Sequence, residues 1–396
     1  LKILFLANRI PYPPYRGDKL KIFNLAKRLA GKHELYLLTF TQTEEDKQYK
    51  AKLEEYFKEV HLVHLPKWRS AVNCLAGLWD SKPIQVLYFQ SAEMRQQLAL
   101  LMATHQFDAV HVQHLRMSPY LAQHKSVPRI LDLPDAFSLY WERRKLIKRG
   151  LATRIFEQVE QQRVLKYEQV LDEYDLSLVC SQEDLEYLKQ LHGTAHLKLL
   201  PNGVDLTTFA ARDHDYSHNN ILLFTGNMDY APNIDAVVYF TEQILPLIQQ
   251  QFPAIKFIIA GQRPVKRVME LANEHVLVTG FIEDLAATYN SASVVVAPLR
   301  FGAGTQNKVL EAMAMGVPVV CSHIGFKGLG IASGDGAIMQ TAPEAFAQSV
   351  IELLSSAQLR KDTGTKGLAV VRSKFDWDAI ASLLDSYFKE VAGKLK

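Results

Sequence analysis

Cysteine is scarce: Cys74, Cys180 and Cys321 are the only three in 396 residues, and they stand far apart. They have no metal-site spacing and suit reduced, core-like thiols in a reducing cytoplasm. Long apolar runs are missing, and none approaches the ~18 residues of a membrane span. The opening LKILFLANRIPYPP is too quickly broken by proline for a signal peptide and reads as a first strand and its loop. Charge of one sign is not in excess, since 45 Lys+Arg against 42 Asp+Glu leave +3. Without long aromatic–basic interleaving, that balance speaks against nucleic-acid binding. The first strand–helix turn, ILFLANRIPYPPYRGDKL, has no G-x-G-x-x-G, which excludes the usual oxidoreductase dinucleotide site. Short repeats and low-complexity segments are absent as well.

What remains is the balance of a globular protein, 48% hydrophobic and 22% charged, at a length suited to two domains. Residues 1–200 carry 29 basic against 23 acidic side chains, and residues 201–396 carry 16 against 19. The first half is therefore the one expected to approach anionic partners. Short, almost continuously apolar strands (ILFLA, ELYLLTF, VHLVHLP, DAVHVQH, RILDLPD, LSLVCS) alternate with helical stretches. After a polar linker, ARDHDYSHNN, the pattern repeats as ILLFTG, KFIIAG, VLVTGF, SVVVAPL and PVVCS. This predicts α/β architecture: two doubly wound domains with parallel strands covered on both faces. The domains are expected at 1–205 and 206–375, followed by an amphipathic C-terminal helix over 376–396.

The segment PLRFGAGTQNKVLEAMAMGVPVV, Pro298–Val320, joins a strand to a helix at the strand's carboxyl end, where open α/β sheets bind ligands. Gly302 and Gly304 permit tight turns and close approach of a ligand. Thr305 is the expected N-cap of a helix from about Gln306 to Met315. Its N-terminus is an anion site, within reach of Lys308 and, from the strand end, of Arg300. Glu311 lies one turn deeper on the same face and suits the vicinal hydroxyls of a ribose. Spacing alone also fits an ordinary i,i+3 ion pair on a wet face. The apolar neighbours Val309, Leu310, Ala312, Met313 and Ala314 weigh against that.

With LPNGVDLTTF, FIIAGQRP and VTGFIEDLAATYNSASVVVAPLR in matching order, this segment resembles the donor site of glycosyltransferase family 4. The resemblance covers essentially the whole chain. It implies the GT-B fold: two Rossmann-like domains facing across a cleft, with the C-terminal helix crossing back to the first. It implies transfer of a sugar from a nucleotide-sugar donor to a glycan or lipid-linked acceptor, with retention of anomeric configuration. Front-face attack is implied, the leaving diphosphate taking the acceptor's proton, with neither cofactor nor metal. By the same resemblance Glu311 binds the ribose, Gly280 and Phe281 meet the base, and Phe301–Thr305 hold diphosphate and sugar. Gly17 lets the first-domain loop approach the diphosphate. His114, favoured over His111, contacts the donor sugar; either histidine reads equally as structural.

The sequence departs from the family at three places. Ala303 replaces the first glutamate of the usual pair, and Asn227, after Gly226, and Pro232 stand where an arginine and a lysine are common. Lys308, Arg300 and Arg263 are the cations left to neutralise a diphosphate. Asp132 and Asp135 orient an acceptor or cap a turn. On the acceptor side, Arg16, Asp18 and Lys19 lie on the first loop. ERRKLIKRGLATR, Glu142–Arg154, is basic with Leu146, Ile147 and Leu151 interleaved. That stretch suits an anionic membrane at the cytoplasmic face, or a phosphate-bearing acceptor, or a plain solvated helix face. The missing groups keep two alternatives open, a non-catalytic nucleotide- or glycan-binding protein and a sugar-nucleotide epimerase on the same fold.

Overall fold

The computed structural model describes residues 1–145, 150–193, 196–210 and 214–393. Leu146 and Ile147 of the basic stretch and the first three residues of the polar linker lie outside them. The chain forms two compact units. The first is built on seven strands: β1 Lys2–Ala7, β2 Glu34–Thr41, β3 Glu59–His64, β4 Ala109–Gln113, β5 Arg129–Leu133, β6 Leu176–Val179 and β7 Leu197–Leu199. The second is built on six: β8 Ile221–Thr225, β9 Lys256–Ala260, β10 Val276–Gly280, β11 Val294–Ala297, β12 Val319–Cys321 and β13 Ala337–Met339. Their orders are β3-β2-β1-β4-β5-β6-β7 and β10-β9-β8-β11-β12-β13, and the paired strands are parallel throughout.

Each order reverses once, between β1 and β4 and between β8 and β11. Those are the switch points at which a doubly wound sheet opens a crevice beyond its carboxyl edge. The inner strands explain themselves: Ile3–Ala7 and Val294–Ala297 are wholly buried, because helices cover both faces.

The first unit comprises residues up to Pro201 together with the C-terminal helix Trp377–Gly393, and the second runs from Asn202 to Asp376. The boundary thus falls before Asn202 rather than after Asp205. Contacts inside the second unit place it there. Val204 N–H donates to Phe375 O at 2.8 Å and Val204 pairs with Asp376, so the incoming and outgoing strands of that unit lie side by side. The C-terminal helix packs Trp377, Ile380, Leu384 and Phe388 against Ile3, Phe5, Ile22 and Leu25 of the first unit.

Candidate functional site

The loop after β11 leaves the switch point of the second sheet and enters the helix Asn307–Ala314. Gly302 (φ 140°) and Gly304 (φ 74°) hold the loop in backbone geometry that a side chain disfavours. Helical dihedrals therefore begin later than expected. The N-cap is Gln306, not Thr305, and no side chain caps the helix. Asn202, from the N-G-V-D segment, donates its side-chain amide to Asn307 Oδ1 at 3.2 Å at this helix start.

Lys308 is buried, and its ammonium is held by Asn233 Oδ1 at 3.1 Å and Gln306 Oε1 at 3.5 Å, 5.0 Å from the Phe224 ring. Burial brings its pKa down to about 8, against the opposing pull of Glu311. Glu311 accepts a 2.8 Å hydrogen bond from the Tyr289 hydroxyl, which also lies 2.6 Å from Thr225 Oγ1. Burial raises the Glu311 pKa, opposed by that hydrogen bond and by Lys308. The two charges are therefore not the i,i+3 pair that spacing allowed. Each is held by neutral groups, Lys308 by Asn233 and Gln306 and Glu311 by Tyr289.

The other residues expected on the donor side line one rim of the sheet. Gly280 (φ 72°), at the end of β10, accepts a 2.9 Å bond from Gly261 N–H. A Cβ on Gly261 would lie 1.7 Å from Gly226 O, so the loops after β8 and β9 touch backbone to backbone. Asn227 is fixed by Gln262 Nε2 at 2.7 Å on its side chain and by Asn233 Nδ2 at 3.0 Å on its carbonyl. Asn233 thus joins this rim to Lys308. Phe281 is largely exposed beside Gly280, and Ala303 is buried under the loop, its carbonyl taken by Gln306 Nε2.

Two expected cations are directed elsewhere. Arg300 makes a bidentate pair with Asp235 at 2.8 and 2.5 Å and lies over the Tyr239 ring, which raises its pKa. Arg263, with φ 58°, is an exposed side chain 3.6 Å from Asp229.

In the first unit, Gly17 is exposed at the first position of the helix Gly17–Leu29, with Arg16 as its N-cap. Asp18 pairs with Arg9 at 3.0 Å and Arg16 at 4.0 Å, and its carbonyl takes Gln113 Nε2 at 2.6 Å, tying the helix to the end of β4. Burial would raise the Asp18 pKa, but Arg9, Arg16 and Arg116 outweigh it and hold it low. Lys19 beside it is pulled down by burial. Arg116 lies between the Phe89 and Phe137 rings with its Nε on Gln85 Oε1 at 3.2 Å, and burial lowers its pKa to about 10. Asp135, which burial and Asp184 raise to about 7, feels the same guanidinium.

His114 sits at the strand end with φ 82°, buried against Phe137, its Nδ1 accepting from Arg116 N–H at 3.3 Å. Burial keeps its pKa well below the usual value, so the ring is neutral. His111 instead faces the core, tilted against Phe5 and edge-on to Phe388, with Asp132 Oδ2 at 3.3 Å. Asp132 does not cap a turn: it forms a buried 2.6 Å pair with Lys21, which in turn donates to Leu200 O.

Residues 219–356, which contain this helix, its loop and the rim, match the family model Glycosyl transferases group 1. The matched residues all lie in the second unit and include Lys308 and Glu311. Along 98% of its length, and 99% of the relative's, the chain is 23% identical to an uncharacterized 44.6 kDa protein in the cps region of Klebsiella pneumoniae. It is 30% identical to the phosphatidyl-myo-inositol mannosyltransferase of Mycobacterium tuberculosis, over 49% of this chain and 54% of that enzyme. The alignment to that mannosyltransferase therefore spans about half of each protein. Among solved structures, Anabaena Alr3699/HepE in complex with UDP superposes with a TM-score of 0.69 at 17% identity, covering 98% of this chain and 100% of that one. The fold is GT-B, two Rossmann-like units, as the two strand orders already require.

Sequence reasoning missed the residues that hold Lys308 and Glu311 in place: Asn233, Gln306, Tyr289 and Thr225. A signal was present for one of them. Asn233 directly follows Pro232, which the helix Ala231–Tyr239 accommodates in its first turn, and a buried amide there calls for a polar partner.

Proposed function

We propose that this protein is a glycosyltransferase that moves a hexosyl or related sugar from a nucleoside diphosphate donor to a glycan or lipid-linked acceptor, with retention of configuration, as glycosyltransferase family 4 enzymes do. The observation that carries the reading is the buried Lys308 ammonium at the start of the Asn307–Ala314 helix, one turn from a carboxylate fixed by Tyr289. The ammonium and the helix N-terminus face where a diphosphate's charge develops on leaving, and Glu311 takes the ribose hydroxyls. Neutral His114 is the donor-sugar contact from the first unit. No side-chain nucleophile enters this scheme: the leaving diphosphate takes the acceptor proton, and catalysis is positioning plus charge stabilisation. The nucleotide sugar is a substrate, and no cofactor or metal has a part.

The UDP bound in the HepE structure supports a nucleotide donor, and the mannosyltransferase supports a hexose. Arg9, Arg16 and Arg116 around Asp18 suit an acceptor that carries an anionic group. The working place in this reading is the cytoplasmic side of a membrane that holds the acceptor. Among the described residues, no helix is long and apolar enough to cross it.

A thermal-shift series with UDP, GDP, ADP and their sugar derivatives tests the donor site. One nucleotide raises the midpoint, and Glu311→Ala abolishes the rise. No shift with any nucleotide would overturn the reading in favour of a non-catalytic protein. Proton NMR of the glycosidic product decides retention.

A further inference from the structure

Nine of the eighteen large apolar side chains exposed among the described residues fall in two short stretches of the first unit, 68–79 and 151–159. Trp68, Val72 and Leu75 form one stripe along the helix Lys67–Ala76. Just past its end, Trp79 is 97% exposed, with no fold-internal reason for so large an apolar surface in water. On the helix Leu151–Tyr167, Leu151, Ile155 and Val159 recur every four residues on its outer face.

The two stretches are tied together. Arg163 Nη2 donates to Leu78 O at 2.5 Å, and Glu160 accepts both Arg163 Nη1 at 3.0 Å and Ile84 N–H at 2.9 Å. These bonds set the two stretches side by side.

The charges sort by sign. The segment Lys67–Trp79 contains no acidic residue, and its Lys67 and Arg69 are exposed. On the second helix both acids, Glu157 and Glu160, are buried, Glu157 against Arg144 at 2.6 Å, while Arg154 and Lys166 face outward. A face of tryptophan and aliphatic side chains edged with cations, its carboxylates turned inward, is the pattern of an interfacial helix on anionic lipid.

We propose that this face of the first unit docks on the surface of an anionic bilayer, with Trp68 and Trp79 entering the headgroup region and Lys67, Arg69 and Arg154 meeting lipid phosphates. The charge complementarity selects this occupant: a second copy of the chain would set the same cations against one another. The proposal is independent of the donor reading, since none of these residues lies in the second unit.

Co-sedimentation of the full chain with vesicles tests it, using phosphatidylglycerol mixed into phosphatidylcholine against phosphatidylcholine alone. The chain is expected on the mixed vesicles, less at high salt, and not on the neutral ones. Joint Lys67→Glu and Arg69→Glu is expected to weaken binding by about fivefold or more per site. Joint Trp68→Ser and Trp79→Ser is expected to weaken it by roughly tenfold or more. The thermal midpoint and the nucleotide-induced shift of both variants should match the parent, which separates loss of docking from loss of fold and from failure of the donor site. Equal binding by parent and variants, or no binding to anionic vesicles, overturns the proposal. So does a dimer in sedimentation velocity that the tryptophan variant dissolves while the parent ignores vesicles, which would make a second copy the occupant.

Discussion

Lys308 is poised between two states because its surroundings solvate an ammonium with only two amide oxygens and an aromatic face. In the proposed reading a diphosphate supplies the missing counter-charge. The sign follows directly. In the free protein the side chain is charged below about pH 8 and loses its proton above it, whereas an unburied lysine would hold that proton to higher pH. Nucleotide affinity should therefore be flat below pH 8. It should then fall by about tenfold per pH unit until the pKa of the complex is reached. Isothermal titration in buffers from pH 6.5 to 9.5 reads this, and Lys308→Arg, which stays charged, should flatten the curve. Lys308→Ala should weaken nucleotide binding by roughly 10- to 100-fold at neutral pH, the worth of a hydrogen bond to a charged group. Glu311 offers a control through its partner. Tyr289→Phe removes the hydroxyl from Glu311 Oε2 and Thr225 Oγ1 while keeping the ring, so affinity for a ribonucleotide should fall more than affinity for inorganic diphosphate. Equal losses would mean that Tyr289 acts on packing and not through the ribose contact.

At the level of elements, the rim at the ends of β8, β9 and β10 depends on loops that approach more closely than side chains permit. Gly261→Ala would force a Cβ to within 1.7 Å of the Gly226 carbonyl oxygen, so backbone must move, and a stability loss of about 2 kcal/mol or more is expected. Gly280→Ala meets nothing within 4 Å and suffers only from its φ of 72°, an expected loss of about 1 kcal/mol. Urea unfolding ranks the two, and the reverse order would mean that φ and not contact governs the rim. The same rim shows what a sequence can display. Lys308 and Glu311 were legible because helical periodicity makes a charged pair conspicuous among apolar neighbours. Asn233 and Tyr289 were not, because they come to that pair from 75 and 22 residues away, and no local pattern encodes such a meeting. The long inner strands were legible from their unbroken apolar runs. β7 and β13, three residues each at the sheet edges, were too short for any periodicity to mark. The helix start was misjudged by one residue because two positive-φ glycines prolong the loop beyond Thr305.

Across the whole molecule, chain order and compact units do not coincide. The chain leaves the first unit after Pro201, completes the second, and returns with Trp377–Gly393 to close the first unit's core. That helix is fastened along its length: Asp378 to Arg28 at 2.5 Å, Asp385 to His33 at 2.9 Å, the Tyr387 hydroxyl to Leu199 O at 3.1 Å and Glu390 to Lys198 at 2.6 Å. The Asp378 and Glu390 pairs have exposed partners and contribute little each, so the burial of Trp377 and Phe388 must supply most of the attachment. Trp377 is fully buried among Ile3, Phe5, Ile22 and Leu25. Trp377→Ala should cost about 3–5 kcal/mol, the range for emptying a buried aromatic site. The loss belongs to the first unit alone. Hydrogen exchange should therefore accelerate in Lys2–Ala7 and Gly17–Leu29, while Ile221–Thr225 and Asn307–Ala314 keep their protection and the nucleotide-induced protection at Lys308 persists. Uniform acceleration in both units would mean that they unfold as one, and that the helix stabilises the whole chain rather than the unit whose core it completes.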